Sequence, residues 1–234
     1  MARVSSRVTP IVALDVPDAG AAERLVDELG ELCGFYKIGS ELFTAAGPRI
    51  VESIGARAST FLDLKFHDIP NTVRGAVRSA ALLGARLLTV HVAGGRAMLD
   101  AAVEAARGAG DCQVLGVTVL TSLDSTEAGH VWGRDVRDMR TEVLRLAQLA
   151  ADAGLHGIVC SGSEAAAVRD RFGDRLAMLI PGIRLAGGDH QDQSRVVSPR
   201  AAAEAGARYI VLGRAVTSAP SPREAMEAVL SDLS

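Results

Sequence analysis

Aromatic residues make up only 3% of the 234-residue chain. That scarcity excludes the rows of stacking rings on which single-stranded nucleic acids are bound. Charge of one sign is missing as well. The formal net charge is −3, with acids and bases interspersed, which excludes a general surface for a phosphate backbone. No apolar run reaches the roughly 18 residues of a membrane-spanning helix. The stretch Met1–Arg7 lacks the apolar region of a secretory signal and leads into a strand, so a cytoplasmic location is expected. Cysteine is sparse: Cys33, Cys112 and Cys160 are odd in number and lack metal-ligand spacing, and they are expected reduced and buried. His130, His156 and His190 also lack that spacing and are expected on the surface or in loops. A Gly-rich dinucleotide fingerprint is absent, and no Ser-His-Asp arrangement stands out.

What the chain does have is hydrophobic content, 48%, in a regular alternation. Short apolar, β-branched runs predict strands at Val8–Val16, Phe35–Gly39, Thr60–Phe66, Leu87–Val92, Gln113–Leu120, Gly157–Cys160, Leu176–Ile183 and Arg208–Leu212. Helical periodicity follows each: 19–32, 41–54 with a break at Gly47-Pro48, 71–83 stopped by Gly84, 96–107, 141–153, 164–171, 199–205 and 221–230. The stretch Asp124–Arg140 is the least regular, and its charges read as a solvated helix start. Residues 185–198 are polar, Gly-rich and too long for an ordinary connector, which predicts a functional loop. No linker or composition shift divides residues 1–234, so one domain is expected. Buried strands alternating with helices imply a parallel sheet, and eight units of this size imply a single α/β (β/α)8 TIM barrel. A doubly wound open sheet is the alternative, without its usual fingerprint.

The stretch Phe61-Leu62-Asp63-Leu64-Lys65-Phe66-His67-Asp68-Ile69-Pro70-Asn71-Thr72 organises the reading. Strand side chains alternate faces, so Asp63 and Lys65 share one side, and Leu62, Leu64 and Phe66 the other. Asp68 follows in the loop before Pro70, which suits a first helical turn. A salt-bridged barrel interior would account for these charges, and so would a catalytic array. In a barrel the C-terminal strand ends form one rim and carry the active site. Asp15, Lys37, Asp63, Lys65, His91, Thr121 and Arg214 all fall at or near such ends. Two Asp and two Lys on the first three strands favour the array.

Asp63-Leu64-Lys65-Phe66-His67-Asp68-Ile69-Pro70-Asn71-Thr72 resembles the signature of the orotidine 5′-phosphate decarboxylase family. The likeness extends to Ala13-Leu14-Asp15, Lys37-Ile38-Gly39 with Glu41-Leu42-Phe43, Val117–Ser122, Pro181-Gly182-Ile183-Arg184, Asp192-Gln193 and Val211-Leu212-Gly213-Arg214. The resemblance implies a homodimer of barrels with shared active sites. It would convert orotidine 5′-phosphate to uridine 5′-phosphate and CO2 without metal or organic cofactor. It implies that Lys65 stabilises the C6 carbanion and protonates it, with Asp63 beside the substrate carboxylate. Asp15 and Lys37 would contact the ribose, and Asp68, Ile69 and Thr72 would reach the partner's site. Thr121, with Ser122 as the alternative, would contact the pyrimidine. Pro181, Arg184, Gly213 and Arg214 form the expected phosphate end, and Gln193 a lid residue bridging phosphate and pyrimidine. A magnesium-dependent phosphosugar decarboxylase sharing the Asp-x-Lys-x-x-Asp core is one rival. A phosphate-binding barrel without catalysis is the other. His67 is expected to brace Asp68 or the interface.

Overall fold

The computed structural model describes residues 8–185 and 197–234. Its elements run β1 (Thr9–Ala13), α1 (Ala19–Leu29), β2 (Phe35–Gly39), α2 (Ser40–Ala46), α3 (Arg49–Gly55), β3 (Ser59–Phe66) and α4 (Pro70–Leu82). Then follow β4 (Leu87–His91), α5 (Arg96–Gly108), β5 (Gln113–Val117), α6 (Ser125–Trp132), α7 (Met139–Asp152), β6 (Gly157–Val159) and α8 (Gly162–Phe172). The rest is β7 (Ala177–Ile180), α9 (Pro199–Glu204), β8 (Tyr209–Leu212), α10 (Arg214–Thr217) and α11 (Pro222–Asp232). The strands pair in sequence order, and β1 pairs with β8, so the sheet closes into an eight-stranded parallel barrel.

Alternation along each strand divides the core into two layers. Ile11, Ala13, Phe35, Phe61, Leu87, Leu115, Leu179, Tyr209 and Val211 fill the barrel interior. Their neighbours Val12, Tyr36, Ile38, Leu62, Leu88 and Ile210 face outward and pack beneath the helices, against residues such as Leu25, Val77, Leu99 and Leu146. Each large side chain so buried contributes about 1.5–3 kcal/mol. Many helices start where the sequence supplies a cap. Asp18, Asp124, Asp138, Ser161, Ser198 and Ser221 each accept a backbone N–H of the following turn, satisfying a donor the helix cannot. Pro70 occupies the first turn of α4.

The structure departs from the sequence reading in several places. β5 stops at Val117 and β7 at Ile180, earlier than Leu120 and Ile183, as both chains turn into loops over the barrel mouth. The irregular stretch 124–140 contains α6, held by an Asp124–Glu127 capping box. Its charged residues are all exposed, and Asp138 caps the start of α7, as a solvated helix start requires. Both terminal guanidinium nitrogens of Arg134 donate to Glu142, a buried residue just beyond the stretch, at 2.7 and 2.6 Å. The short helix α10 was not expected. Cys33 and Cys160 are buried and unpaired, whereas Cys112 is only half-buried. His156 lies in the loop before β6, as expected, but half-buried with its ring against Tyr209. His190 lies outside the described residues.

Candidate active site

The barrel mouth holds a cavity of about 550 Å³, within the range of small-molecule sites. Its floor is apolar: Ala13, Phe61, Val117, Val159, Leu179 and Val211. Its wall carries the charges. Asp15 lies two residues past β1, Lys37 on β2, Asp63 and Lys65 on β3, Arg184 past β7 and Arg214 at the start of α10. Closure of the sheet brings together strand ends that are as much as 199 positions apart in the chain, Asp15 to Arg214.

The first four form a chain of alternating sign. Lys37 Nζ donates to Asp15 Oδ1 at 2.7 Å and lies 3.9 Å from Asp63 Oδ2. Lys65 Nζ donates to the same Asp63 Oδ2 at 2.8 Å. The side chains of Lys37 and Asp63 are 10% and 13% exposed, against 37% for Lys65. The inner pair is therefore held in place, and the Lys65 ammonium is the one open to the cavity. A lysine or carboxylate buried this far needs such partners, since an unpaired buried charge is strongly disfavoured. Gly39 makes room for the pair: a Cβ there would stand 3.0 Å from both Asp15 Oδ1 and Lys37 Nζ.

Asp63 and Lys65 do face the same side, but simple strand alternation does not account for it alone. The β3–β4 ladder pairs Leu62 with Leu88 and Phe66 with Val90. Three residues of β3 thus stand opposite one of β4. Lys65 absorbs the excess with a φ of 50°, the one positive value outside glycine among the described residues. That region is unfavourable for a residue with a Cβ, and strain of this kind collects at functional sites. On the next strand, burial, then the neighbouring His67 and Lys65, push the His91 imidazole below the ordinary histidine range, so it is neutral at neutral pH. Its ring meets that of His67 at 5.2 Å.

Across the cavity from this chain, Pro181, Gly182, Arg184, Gly213 and Arg214 line the other wall. Two aspartates, two lysines and two arginines leave a formal surplus of two positive charges among the described lining residues. A Cβ on Gly213 would meet no atom within 4 Å, so packing does not require glycine there, whereas close approach of an anion to the backbone would.

Of the residues singled out from sequence, the cavity unites Asp15, Lys37, Asp63, Lys65, Thr121, Pro181, Arg184, Gly213 and Arg214. Ser122, beside Thr121, is exposed and does not line it. Asp68 and Ile69 line a separate shallow depression with His67, Pro70, Ala93 and Gly94, and Thr72 is exposed on α4. The Asp68 carboxylate accepts the N–H of Ile69 at 2.6 Å, while His67 faces His91. Gln193 lies outside the described residues. Thr217 and Ser218 line the cavity and were missed. They follow Arg214 at the end and C-cap of α10, a short helix the sequence did not signal.

Fold and site together define a barrel enzyme whose mouth pairs a lysine–aspartate array with a cationic, glycine-bearing wall. Comparison with known proteins narrows this. The family described as Orotidine 5′-phosphate decarboxylase / HUMPS matches residues 9–229. The orotidine 5′-phosphate decarboxylase of Moorella thermoacetica is 45% identical over 240 aligned positions, covering 100% of this chain and 95% of that protein. That of Halorhodospira halophila is 47% identical, covering 95% and 94%. The crystal structure of orotidine 5′-phosphate decarboxylase from Lactobacillus acidophilus superposes with a TM-score of 0.84 at 33% identity, covering 97% of this chain and 99% of that one. The chain belongs to the orotidine 5′-phosphate decarboxylase family.

Proposed function

We propose that the chain decarboxylates orotidine 5′-phosphate to uridine 5′-phosphate and CO2 as one catalytic domain spanning residues 1–234. The observation that carries the reading is the Asp15–Lys37–Asp63–Lys65 chain facing an apolar floor, with Arg184 and Arg214 on the opposite wall. The phosphate belongs at the arginine wall, where guanidinium forks and the open backbone at Gly213 suit a dianion. The ribose hydroxyls fall to Asp15 and Lys37, and the pyrimidine to the apolar floor beside Thr121. This orientation directs C6 and its carboxylate at Asp63 and Lys65.

The step is heterolytic. The C6–carboxylate bond breaks, CO2 departs, and the electron pair stays on C6 in the ring plane, where the π system does not delocalise it. The Lys65 ammonium offsets that charge and then gives its proton to C6, and solvent returns the proton to the amine. A fixed donor aimed at developing charge is worth about 2.7–4 kcal/mol in enzymes where one has been removed. Asp63 holds the ammonium at 2.8 Å, so little reorganisation accompanies the reaction. The resemblance gives Gln193, which lies outside the described residues, the part of a lid residue bridging phosphate and pyrimidine. Each site-facing carboxylate of the array, Asp15 and Asp63, is already paired with a lysine. Among the described residues no group of three His, Cys, Asp or Glu is placed to hold a metal. No metal or organic cofactor is assigned.

Asp68 completes the site from a second chain. It stands outside its own cavity on an exposed loop with Ile69, which is 67% exposed, and a homodimer with shared sites gives both a place. A cytoplasmic location is assigned on the three unpaired cysteines. Among the described residues no helix is long and apolar enough to cross a membrane.

The test is loss of orotidine 5′-phosphate absorbance with purified protein, before and after exhaustive chelation. Turnover that survives EDTA is expected. Loss with EDTA and recovery with Mg²⁺ would favour the phosphosugar decarboxylase reading. Lys65→Ala should abolish turnover by several orders of magnitude with the barrel intact. A fall of less than about tenfold, roughly 1.4 kcal/mol, would remove Lys65 from the assigned role.

A further inference from the structure

Thr89, on β4, lines no part of the cavity but hydrogen-bonds to both Asp63 and Lys65. It lies between Leu88 and Val90, the two β4 residues that pair with Leu62 and Phe66 of β3. It is therefore the single residue facing the three-residue stretch 63–65, where the ladder has no regular partner to offer. Its side chain is fully buried. Its hydroxyl donates to Asp63 Oδ1 at 2.8 Å and accepts the backbone N–H of Lys65 at 3.0 Å. A hydroxyl is donor and acceptor in one atom, so one oxygen ties the carboxylate of Asp63 to the backbone of the residue that carries the ammonium. The other Asp63 oxygen takes that ammonium itself, at 2.8 Å. The result is a closed loop of contacts: Thr89 to Asp63, Asp63 to the Lys65 side chain, and the Lys65 backbone to Thr89.

We infer that Thr89 is a positioning residue for the decarboxylation proposed above, holding Lys65 in its left-handed conformation and fixing the Asp63 carboxylate against the Lys65 ammonium. The loop explains how a non-glycine residue persists at a φ of 50° without being displaced. Unpairing a buried donor and a buried acceptor together is expensive, and a hydrogen bond to a charged group is stronger than one between neutral groups. Of the Thr89 side chain only the oxygen can make the bridge.

The experiment compares Thr89→Val, which keeps the shape and loses the oxygen, with Thr89→Ser, which keeps the oxygen. Thr89→Val is expected to lose about ten- to a hundredfold in kcat, equivalent to about 1.4–2.7 kcal/mol. Its KM should stay within about threefold, because the phosphate and ribose contacts are untouched, and Thr89→Ser should remain within about threefold of the parent in both. Parental kcat in Thr89→Val, or an equal loss in Thr89→Ser, would overturn the inference. Should the valine variant fail to fold, Thr89→Ala against Thr89→Ser isolates the same oxygen, and equal kcat in those two overturns it. Hydrogen exchange of the Lys65 amide supplies a readout that needs no turnover: it should accelerate in Thr89→Val or Thr89→Ala and not in Thr89→Ser. A parent enzyme inactive on orotidine 5′-phosphate would overturn the proposed function instead. The amide would then decide the bridge, and unchanged exchange would refute it.

Discussion

Two individually crippled variants should restore one another, because the proposed site draws Lys65 and Asp68 from different chains. The geometry behind this is local. Asp63 and Lys65 face the cavity from β3, but the chain then leaves the strand, and Asp68 lines a depression with Pro70 and Gly94 instead. Its carboxylate is turned to its own Ile69 N–H. Lys65→Ala and Asp68→Ala homodimers should each be severely impaired. In a heterodimer with two-fold related sites, one site combines Lys65 from the Asp68→Ala chain with Asp68 from the Lys65→Ala chain and is intact. The other site carries both lesions. With random exchange and a fraction x of one variant, mixed dimers form in proportion 2x(1−x), each with one good site of two. Activity therefore follows x(1−x), with a maximum of about one quarter of the parent at equal mixing, an estimate from symmetry alone. The assay is orotidine 5′-phosphate turnover across a mixing series, with heterodimer formation verified by native mass spectrometry. Verified exchange with no recovery would place Asp68 in its own chain's site or outside the site altogether. Recovery that rises linearly with one variant, rather than peaking between them, would refute the sharing as well.

Arg214→Ala should weaken binding of uridine 5′-phosphate by about 1.5–3 kcal/mol, the scale of a lost hydrogen bond to a charged group, while uridine binding is unchanged; equal affinity of variant and parent for the nucleotide in calorimetry would remove Arg214 from the phosphate wall. At the opposite end of the barrel, His156 Nε2 lies 3.4 Å from the Tyr209 hydroxyl, and burial, then Arg208 and Arg86, hold its imidazole below the ordinary range. The unfolded chain, with histidine near about 6.5, then takes up a proton before the folded one does. Stability should therefore fall as pH drops from about 7.5 through 6.5, and level off below the folded value. His156→Gln should flatten part of that slope, read as urea midpoints at several pH values. His91, shifted the same way, retains the remainder, and an unaltered slope in the variant would refute the assignment to His156.

The order of the eight strands and of the helices between them, α6 and α10 excepted, and the barrel they make were legible in the sequence. Strand and helix periodicities are local properties of apolar spacing, and the glycine, proline and capping residues that punctuate them act within a few positions. The alternation that separates Phe61 and Leu87 from Leu62 and Leu88 is of this kind. So was the membership of Asp15, Lys37, Asp63, Lys65, Arg184 and Arg214 in one rim, because a closed parallel barrel sends every C-terminal strand end to the same face. Tertiary structure alone decided the rest. Which aspartate takes which lysine depends on register between strands, and the shared Asp63 oxygen could not be read from the spacing of Asp63 and Lys65. The left-handed backbone at Lys65 arises from three residues of β3 meeting one of β4, a mismatch visible only when both strands are paired. Thr89 reads in sequence as an ordinary β-branched strand residue, and its bridge exists because β4 lies beside β3. The charges at 134–140 read as solvated, since solvation is the default for an isolated run, and they are exposed; the burial of Glu142 just beyond them, with Arg134 and Arg145 as its partners, is set by the fold. Sequence settles what each segment does with its own neighbours; contacts between distant segments, where geometry sets which polar groups must pair away from water, are the property of the fold.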